Sequence, residues 1–464
     1  MIFSFQELEE ITRGEWRGAP LPAGLQGVFS ITDDSRQAQA GDLFVAISGT
    51  RTDGHHYLDT AIGNGAVAAC VGKRRKAAKR DDLPLLCVDN PLNAFHELAR
   101  AHRRRFPEVE VVGITGSNGK TSVRCMLTAI LENAWPGRVL STLGNTNNHF
   151  GVPRNLLRMT REHRVAALEI GTSQPGEIAQ LTRLIRPRIG VITNIGPAHL
   201  ENLGDTLGVA MEKGCLLTGL QGKDPVAIIP EQTEHVEILR QIVGSRRLLT
   251  FGREATADIQ AVYGGCRANQ CRLTLRWPKS DREIDLTWSV GGRHQALNAA
   301  AAAAAATALG LDPETIARGL RQTALPAMRM QIQEIDGRHW VNDAYNANPE
   351  SMRSGIEWFF ELTEGVEEER CLLILGDMLE LGDDALAEHT RLLQWVAARF
   401  PAVNILPTGQ LMTRAAQACG MRGFESVEQT HRELRQRRRL ASWIFLKGSR
   451  GIELERLMEL EHSL

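Results

Sequence analysis

The segment Gly116-Ser117-Asn118-Gly119-Lys120-Thr121 joins an apolar run, Val109 to Thr115, to a stretch of helical character from Ser122 to Glu132. A strand, a glycine-rich turn and Lys-Thr opening a helix is the pattern of a phosphate-binding loop. Backbone N–H groups at a helix start point at anions, and glycine leaves no Cβ to block the approach of phosphate oxygens. In that geometry Lys120 holds the β- and γ-phosphates of ATP, backbone amides at the helix start point at them, and the Thr121 hydroxyl ligates magnesium. The spacing departs from the general Gly-x-x-x-x-Gly-Lys pattern. Position 114 is isoleucine, and the available glycines are Gly113 and Gly116.

Magnesium needs further oxygen or nitrogen ligands, and open α/β sheets bind their ligands beyond the carboxyl ends of the strands. Glu169 follows the apolar run Val165-Ala166-Ala167-Leu168. His199 follows Ile189 to Thr193, within Asn194-Ile195-Gly196-Pro197-Ala198-His199-Leu200-Glu201. Both are candidates for the metal side of the site, against the plainer alternatives of a surface glutamate and a structural histidine.

The elements that must position these residues alternate along the chain. Short apolar runs at Asp42–Ile47, Ala66–Val71 and Leu85–Val88 read as strands, and a helix from Leu92 to Arg105 leads to Pro107. Beyond it come strands at 109–115, 165–168, 189–193 and 226–229, with helices between them, as crossover units of a largely parallel sheet require. From Ala257 to Val290 the pattern shortens toward antiparallel ribbon, and Gln295 to Leu309 is an alanine-rich helix. After Pro326, strands at 340–343, 371–375 and 443–446 suggest a separate α/β unit. The expected fold is therefore α/β in three domains. These are a small mixed N-terminal domain over 1–107, a central phosphate-loop domain with a mostly parallel sheet over 108–325, and a Rossmann-like C-terminal domain over 326–464.

Composition excludes several classes. At 464 residues, 43% hydrophobic and with a net charge of -1, the chain can bury large cores and has no electrostatic drive toward nucleic acid. The basic runs Lys73–Lys76 and Arg435–Arg439 lack interleaved aromatics and read as solvated surface. None of the eight cysteines falls in a Cys-x-x-Cys pair, which argues against a zinc knuckle or a redox motif. No stretch approaches the roughly 20 apolar residues of a membrane span, and the N-terminus does not read as a secretory signal. A soluble, reducing, cytoplasmic setting is expected.

The motifs around the loop carry a resemblance. Thr115 to Thr121, Glu169-Ile170-Gly171 and Asn194 to Glu201 resemble the central-domain motifs of the Mur ligases, three-domain ATP-dependent enzymes of peptidoglycan precursor synthesis. Asp34-Ser35-Arg36, Gly41 to Ala46 and Asp53-Gly54-His55 resemble their N-terminal domain. Gly144 to Asn148 with Gly151-Val152-Pro153, Asn342 to Pro349, Leu375 to Gly382 and Lys447 to Gly451 resemble the branch that joins D-alanyl-D-alanine to a UDP-N-acetylmuramoyl-tripeptide.

The resemblance implies roles by position. Ser35, Arg36 and Asp53 would bind the UDP-sugar substrate, with Asn145, Asn147, Asn148, Asn346 and Asn348 also on the substrate side. Thr121 and Glu169 would serve magnesium, His199 would hold a second metal ion, and Lys213 would become a carbamate ligand. Lys120 and the amides of Gly116 to Ser122 would bind the ATP phosphates, and Lys120, Lys213 and His199 would be catalytic. Asn298 would pack near adenine, while Arg329, Asp343 and Tyr345 would close over the nucleotide. ATP would activate the tripeptide carboxylate as an acyl phosphate for attack by the dipeptide amine, in an enzyme expected to be a monomer. Cys215, Gln295, Met328 and His149 depart from the residues usual at their positions. A phosphate-loop kinase or ATPase with no acyl acceptor is the rival enzyme class. A non-catalytic binding protein is the other alternative.

Overall fold

The computed structural model of the chain describes residues 1–49, 52–267, 270–436 and 441–462. They form two compact units. The first comprises Met1–Val111, Gly137–Ile170 and Gln180–Arg186, and the second comprises Val112–Pro136, Gly171–Ala179 and Pro187–Leu464.

In the first unit, five strands lie in the order Glu15–Gly18, Pro84–Val88, Ala68–Gly72, Asp42–Val45, Ser30–Thr32. Only the first pair is antiparallel. Side chains alternate across each strand, so Leu43 and Val45 pack with Phe95 and Leu98 of helix Pro91–Arg104. On the opposite face Phe44 and Ala46 pack with Leu58 and Ala61. Both faces are covered, which is why these strands read as continuous apolar runs. Asn90 starts the helix by accepting from Leu92 N and Asn93 N, with Pro91 in the first turn. Strands Val139–Ser141 and Val165–Glu169 also belong here and pair in parallel.

The second unit holds two sheets. In one, Glu110–Thr115, whose first two residues fall in the first unit, is followed in order by Ile189–Ile192, Val226–Pro230, Arg247–Gly252 and Ile259–Arg267, all parallel. Gln270–Trp277 and Arg282–Trp288 extend it antiparallel, as the shortened pattern after Ala257 suggests. Cys266 and Cys271 are register partners there and are joined by a disulfide. The hairpin places these two residues, five apart in the sequence, opposite one another.

The alanine-rich helix runs Arg293–Ala308 and is buried along its length from Ala299 to Ala306. The second sheet has the order Gln331–Ile335, Arg338–Asn342, Trp443–Lys447, Cys371–Gly376, Asn404–Thr408, parallel except for the first pair. Val341, Leu373 and Phe445 face Met352 and Phe359 of helix Pro349–Leu362. Trp340, Leu372 and Ile444 face Leu434 and Leu457.

Residues 73–76 are exposed, as expected of a solvated basic run, and residues 437–439 of the other run lie outside the described residues. Among the described residues no helix is long and apolar enough to cross a membrane.

Candidate active site

The strand Glu110–Thr115 ends directly before the glycine-rich loop, and helix Lys120–Ala134 begins at its lysine. Gly119 caps that helix with no side-chain hydrogen bond, and its first turn carries no acidic residue. The first-turn N–H groups therefore present an anion site. Gly116 has φ +152°, and a Cβ there would meet Thr193 Oγ1 at 1.8 Å. Gly119 has φ +79°, and its Cβ would meet Asn298 Oδ1 at 2.3 Å. These two glycines, not one at position 114, let the loop turn back on the neighbouring strand end. Gly116→Ala is expected to lower ATP affinity by more than tenfold and to destabilise the fold by about 2 kcal/mol or more. Nucleotide titration and thermal melting of the same variant check both.

The loop is pinned to the segment after Ile189–Ile192. Ser117 N donates to Asn194 O at 3.0 Å, and Asn118 N donates to Asn194 Oδ1 at 2.7 Å. Ser117 Oγ donates to Gly196 O at 2.8 Å and accepts from Gly196 N at 3.1 Å. Lys120 Nζ turns back on its own loop, donating to Gly116 O at 2.8 Å and Ser117 O at 3.2 Å. A cation held on the loop beside a helix start without a side-chain cap fits a polyphosphate.

Residues beyond Pro326 come to the same place. Arg329 Nη2 donates to Thr121 Oγ1 at 3.1 Å, and its guanidinium carbon lies 4.0 Å from the Tyr345 ring centroid. Among the described residues its buried Nε has no acceptor, which leaves a donor for a ligand. Asp343 is gripped by buried Lys447, Nζ to Oδ2 2.5 Å, and accepts from Met330 N at 3.2 Å. Lys447 Nζ also reaches Asn346 O at 3.4 Å.

Asn348 caps helix Pro349–Leu362 through Ser351 N and donates Nδ2 to Asn118 Oδ1 at 2.6 Å. Met328, which precedes Arg329, holds φ +60°. A side chain is strained there by about 1–2 kcal/mol. Met328→Gly is therefore expected to raise the melting temperature by about 1–3 °C, net of glycine's entropy cost in the unfolded chain.

His199 opens the short helix Leu200–Leu203 and pairs Nδ1 with Glu380 Oε2 at 2.8 Å. That hydrogen bond, more than the charges of His199 and Lys120, holds the Glu380 carboxyl below its ordinary range. Lys213 is buried in helix Thr206–Thr218. Burial, then the like charge of Lys120, pushes its amine well below the ordinary lysine range, with Glu212 opposing. Glu212 itself accepts from Gly176 N at 2.7 Å and Ile178 N at 2.8 Å, so it tethers the start of helix Glu177–Ile185, which comes earlier in the chain. Asn298 Nδ2 donates to Gln295 Oε1 at 3.0 Å, beside the loop glycine. The structure thus brings together Gly116 to Ser122, Asn298, Arg329, Tyr345 and Asn348. Glu350, Glu380 and Lys447 join them; Glu380 and Lys447 lie in stretches that carry the resemblance, and Glu350 lies just outside one.

The first unit holds the remaining candidates. Asn147 Nδ2 donates to Glu169 Oε1 at 2.8 Å. Asn148 Oδ1 accepts from Phe150 N and Gly151 N, shaping the turn into helix Gly151–Leu157, and Asn145 is exposed. Arg36 is exposed and held in a two-bond pair by Asp34, and Ser35 is buried beside it. Asp53 accepts from His55 N, His55 Nδ1 and Ser48 Oγ. Burial raises its pKa, but the two His55 bonds outweigh it and hold the carboxyl at about 2.

Among the described residues no group of three or more His, Cys, Asp or Glu side chains is arranged to hold a metal. Magnesium binds mainly through phosphates, water and one or two protein oxygens. The Thr121 hydroxyl at the start of the loop helix fits that donor set.

A phosphate loop on a parallel sheet, met by an arginine from a following α/β sheet, defines a nucleotide-dependent enzyme. Residues 28–103 match the Mur ligase family catalytic domain, 114–306 the Mur ligase middle domain, and 328–450 the Mur ligase glutamate ligase domain. The chain belongs to the Mur ligase family. Among its relatives is the UDP-N-acetylmuramoyl-tripeptide–D-alanyl-D-alanine ligase of Escherichia coli, 33% identical over 462 residues, covering 98% of this chain and 97% of that one. MurF from Acinetobacter baumannii is 28% identical, with a TM-score of 0.89 and coverage of 100% and 99%. The MurF ligase of Thermotoga maritima, solved in complex with ADP, is 25% identical, with a TM-score of 0.79 and coverage of 94% and 97%.

Proposed function

We propose that this chain is an ATP-dependent UDP-N-acetylmuramoyl-tripeptide–D-alanyl-D-alanine ligase, forming the pentapeptide precursor of peptidoglycan in the cytoplasm. The observation that carries it is the meeting of the uncapped phosphate loop with Arg329 and Asn348. A plain ATPase can also use such an arginine, and the likeness to a D-alanyl-D-alanine ligase over 98% of this chain favours the ligase. The tripeptide carboxylate attacks the γ-phosphorus and ADP leaves. The dipeptide amine then attacks the acyl phosphate carbonyl, losing a proton, and inorganic phosphate departs. A carboxylate lacks a competent leaving group, and phosphorylation supplies one.

Lys120 and the loop amides orient the phosphates, and Arg329 adds charge where the phosphoryl group moves. Asn298 sits beside the nucleotide, and Asp343, fixed by Lys447, shapes the segment bearing Tyr345. Thr121, His199 and Lys213 as its carbamate are proposed to hold magnesium, as is Glu169. Bound there, the metal would neutralise phosphate charge. Ser35, Arg36, Asp53, Asn145, Asn147 and Asn148 are proposed to serve the UDP-muramoyl peptide, and Asn346 and Asn348 the dipeptide side. The domain limits proposed are 1–107, 108–325 and 326–464.

The test offers ATP, D-alanyl-D-alanine and UDP-muramoyl-tripeptides ending in lysine or diaminopimelate, with products identified by mass. ATP hydrolysis that needs neither peptide, with no pentapeptide formed, would overturn the proposal in favour of a plain ATPase.

A further inference from the structure

Glu350 has no part in phosphate grip or acyl transfer, yet it is tied to the loop that does. It is the second residue of helix Pro349–Leu362, whose first turn is fixed by reciprocal bonds between Asn348 and Ser351. From that turn Glu350 Oε2 accepts from Asn118 Nδ2 at 2.8 Å and from Asn194 Nδ2 at 2.8 Å.

The same two amides are engaged at their other ends. Asn118 Oδ1 accepts from Asn348 Nδ2, and Asn194 Oδ1 accepts from Asn118 N. Thr193 Oγ1 donates to Asn118 O. The polar groups of the Asn118 side chain and backbone are thus held by the second strand end and by the helix start. Gly196 leaves the space this needs, since a Cβ there would lie 3.0 Å from Glu350 Oε2. The Glu350 carboxylate has no cation among these partners, and burial, with the like charge of Glu234, raises its pKa against the two amide bonds that lower it, which suits a surface charge poorly. As a fastener it is well placed, because bonds to an ionised acceptor are stronger than neutral ones.

We propose that Glu350 is a positioning residue. It fixes the Asn118 peptide of the phosphate loop and couples the loop's shape to docking of helix Pro349–Leu362. This rests on the reading of the loop as the ATP site. The helix then reports its position to the phosphates through Asn118 without touching them.

The experiment compares Glu350→Ala, Glu350→Gln, Asn194→Ala and the double variant Glu350→Ala/Asn194→Ala in the full chain. It reads the ATP dissociation constant by calorimetry, kcat for ligation, and melting temperature. Glu350→Ala is expected to weaken ATP binding by about five- to tenfold and to lower kcat, with little change in melting. Glu350→Gln, which keeps an acceptor oxygen, should recover most of the affinity. The alanine pair should be less than multiplicative, because the substitutions share the Glu350–Asn194 bond and the other bonds they remove both hold Asn118. ATP affinity and kcat for Glu350→Ala within twofold of the parent, or fully multiplicative effects, would overturn the inference alone. A parent chain that binds no ATP would overturn the nucleotide reading and this inference with it.

Discussion

Lys120→Ala is expected to lower kcat/KM for ATP by about a thousandfold, the scale set by removing one preorganised charge from a site of this kind. The side chain caps its own loop, at 2.8 Å from Gly116 O and 3.2 Å from Ser117 O. Phosphate oxygens offer the ammonium a stronger, charge-assisted acceptor than those carbonyls. Alanine keeps the helix start, so the melting temperature should move by only a few degrees. The charge reaches further than the loop, because it also depresses the Lys213 amine and the Glu380 carboxyl. Calorimetric ATP titration and product mass separate binding from chemistry. Ligation within tenfold of the parent would remove Lys120 from the phosphate grip.

What was legible in the sequence follows from what local pattern can encode. The strand Glu110–Thr115 and helix Lys120–Ala134 announce themselves by a change of period across a glycine turn, and the loop between them is where expected. Glu169 closes its strand, and His199 follows another, as the strand-end argument requires. Glu15–Gly18 and Ser30–Thr32 leave no signal in the sequence, because four residues with an exposed pattern, or only three, carry no testable alternation.

The partners of the site were a different matter. Glu350 meets Asn118 across 232 positions and Lys447 meets Asp343 across 104, and no spacing rule spans such distances. Asn148 carries a local role that its motif does not reveal. Its residue type fits a substrate contact, and its Oδ1 is used to turn the backbone at Phe150 and Gly151. Met328 stands where the resemblance leads one to expect glycine, and the backbone explains that expectation through a positive φ.

Lys213→Met is expected to cost about two to three orders of magnitude in kcat and yet to raise the melting temperature at neutral pH. Burial is the main reason the amine sits well below its ordinary pKa, and the Lys120 charge adds to it. The unfolded chain therefore binds one more proton than the folded chain wherever pH lies between the lowered value and 10.5. The penalty on folding is complete below the lowered value and shrinks as pH rises, vanishing near the unfolded pKa. Methionine fills the same volume without that penalty. Its stability advantage should accordingly shrink toward alkaline pH, and thermal melting from neutral to alkaline pH follows that trend directly. The same lowered pKa keeps a lone pair available to attack carbon dioxide, forming the N–C bond of the carbamate and releasing one proton. Bicarbonate with magnesium should then restore activity to carbonate-depleted parent enzyme and raise its melting temperature, while leaving Lys213→Met unchanged. A parent enzyme fully active after carbonate depletion, with no added carbon dioxide mass on Lys213, would leave the buried amine without its proposed chemistry.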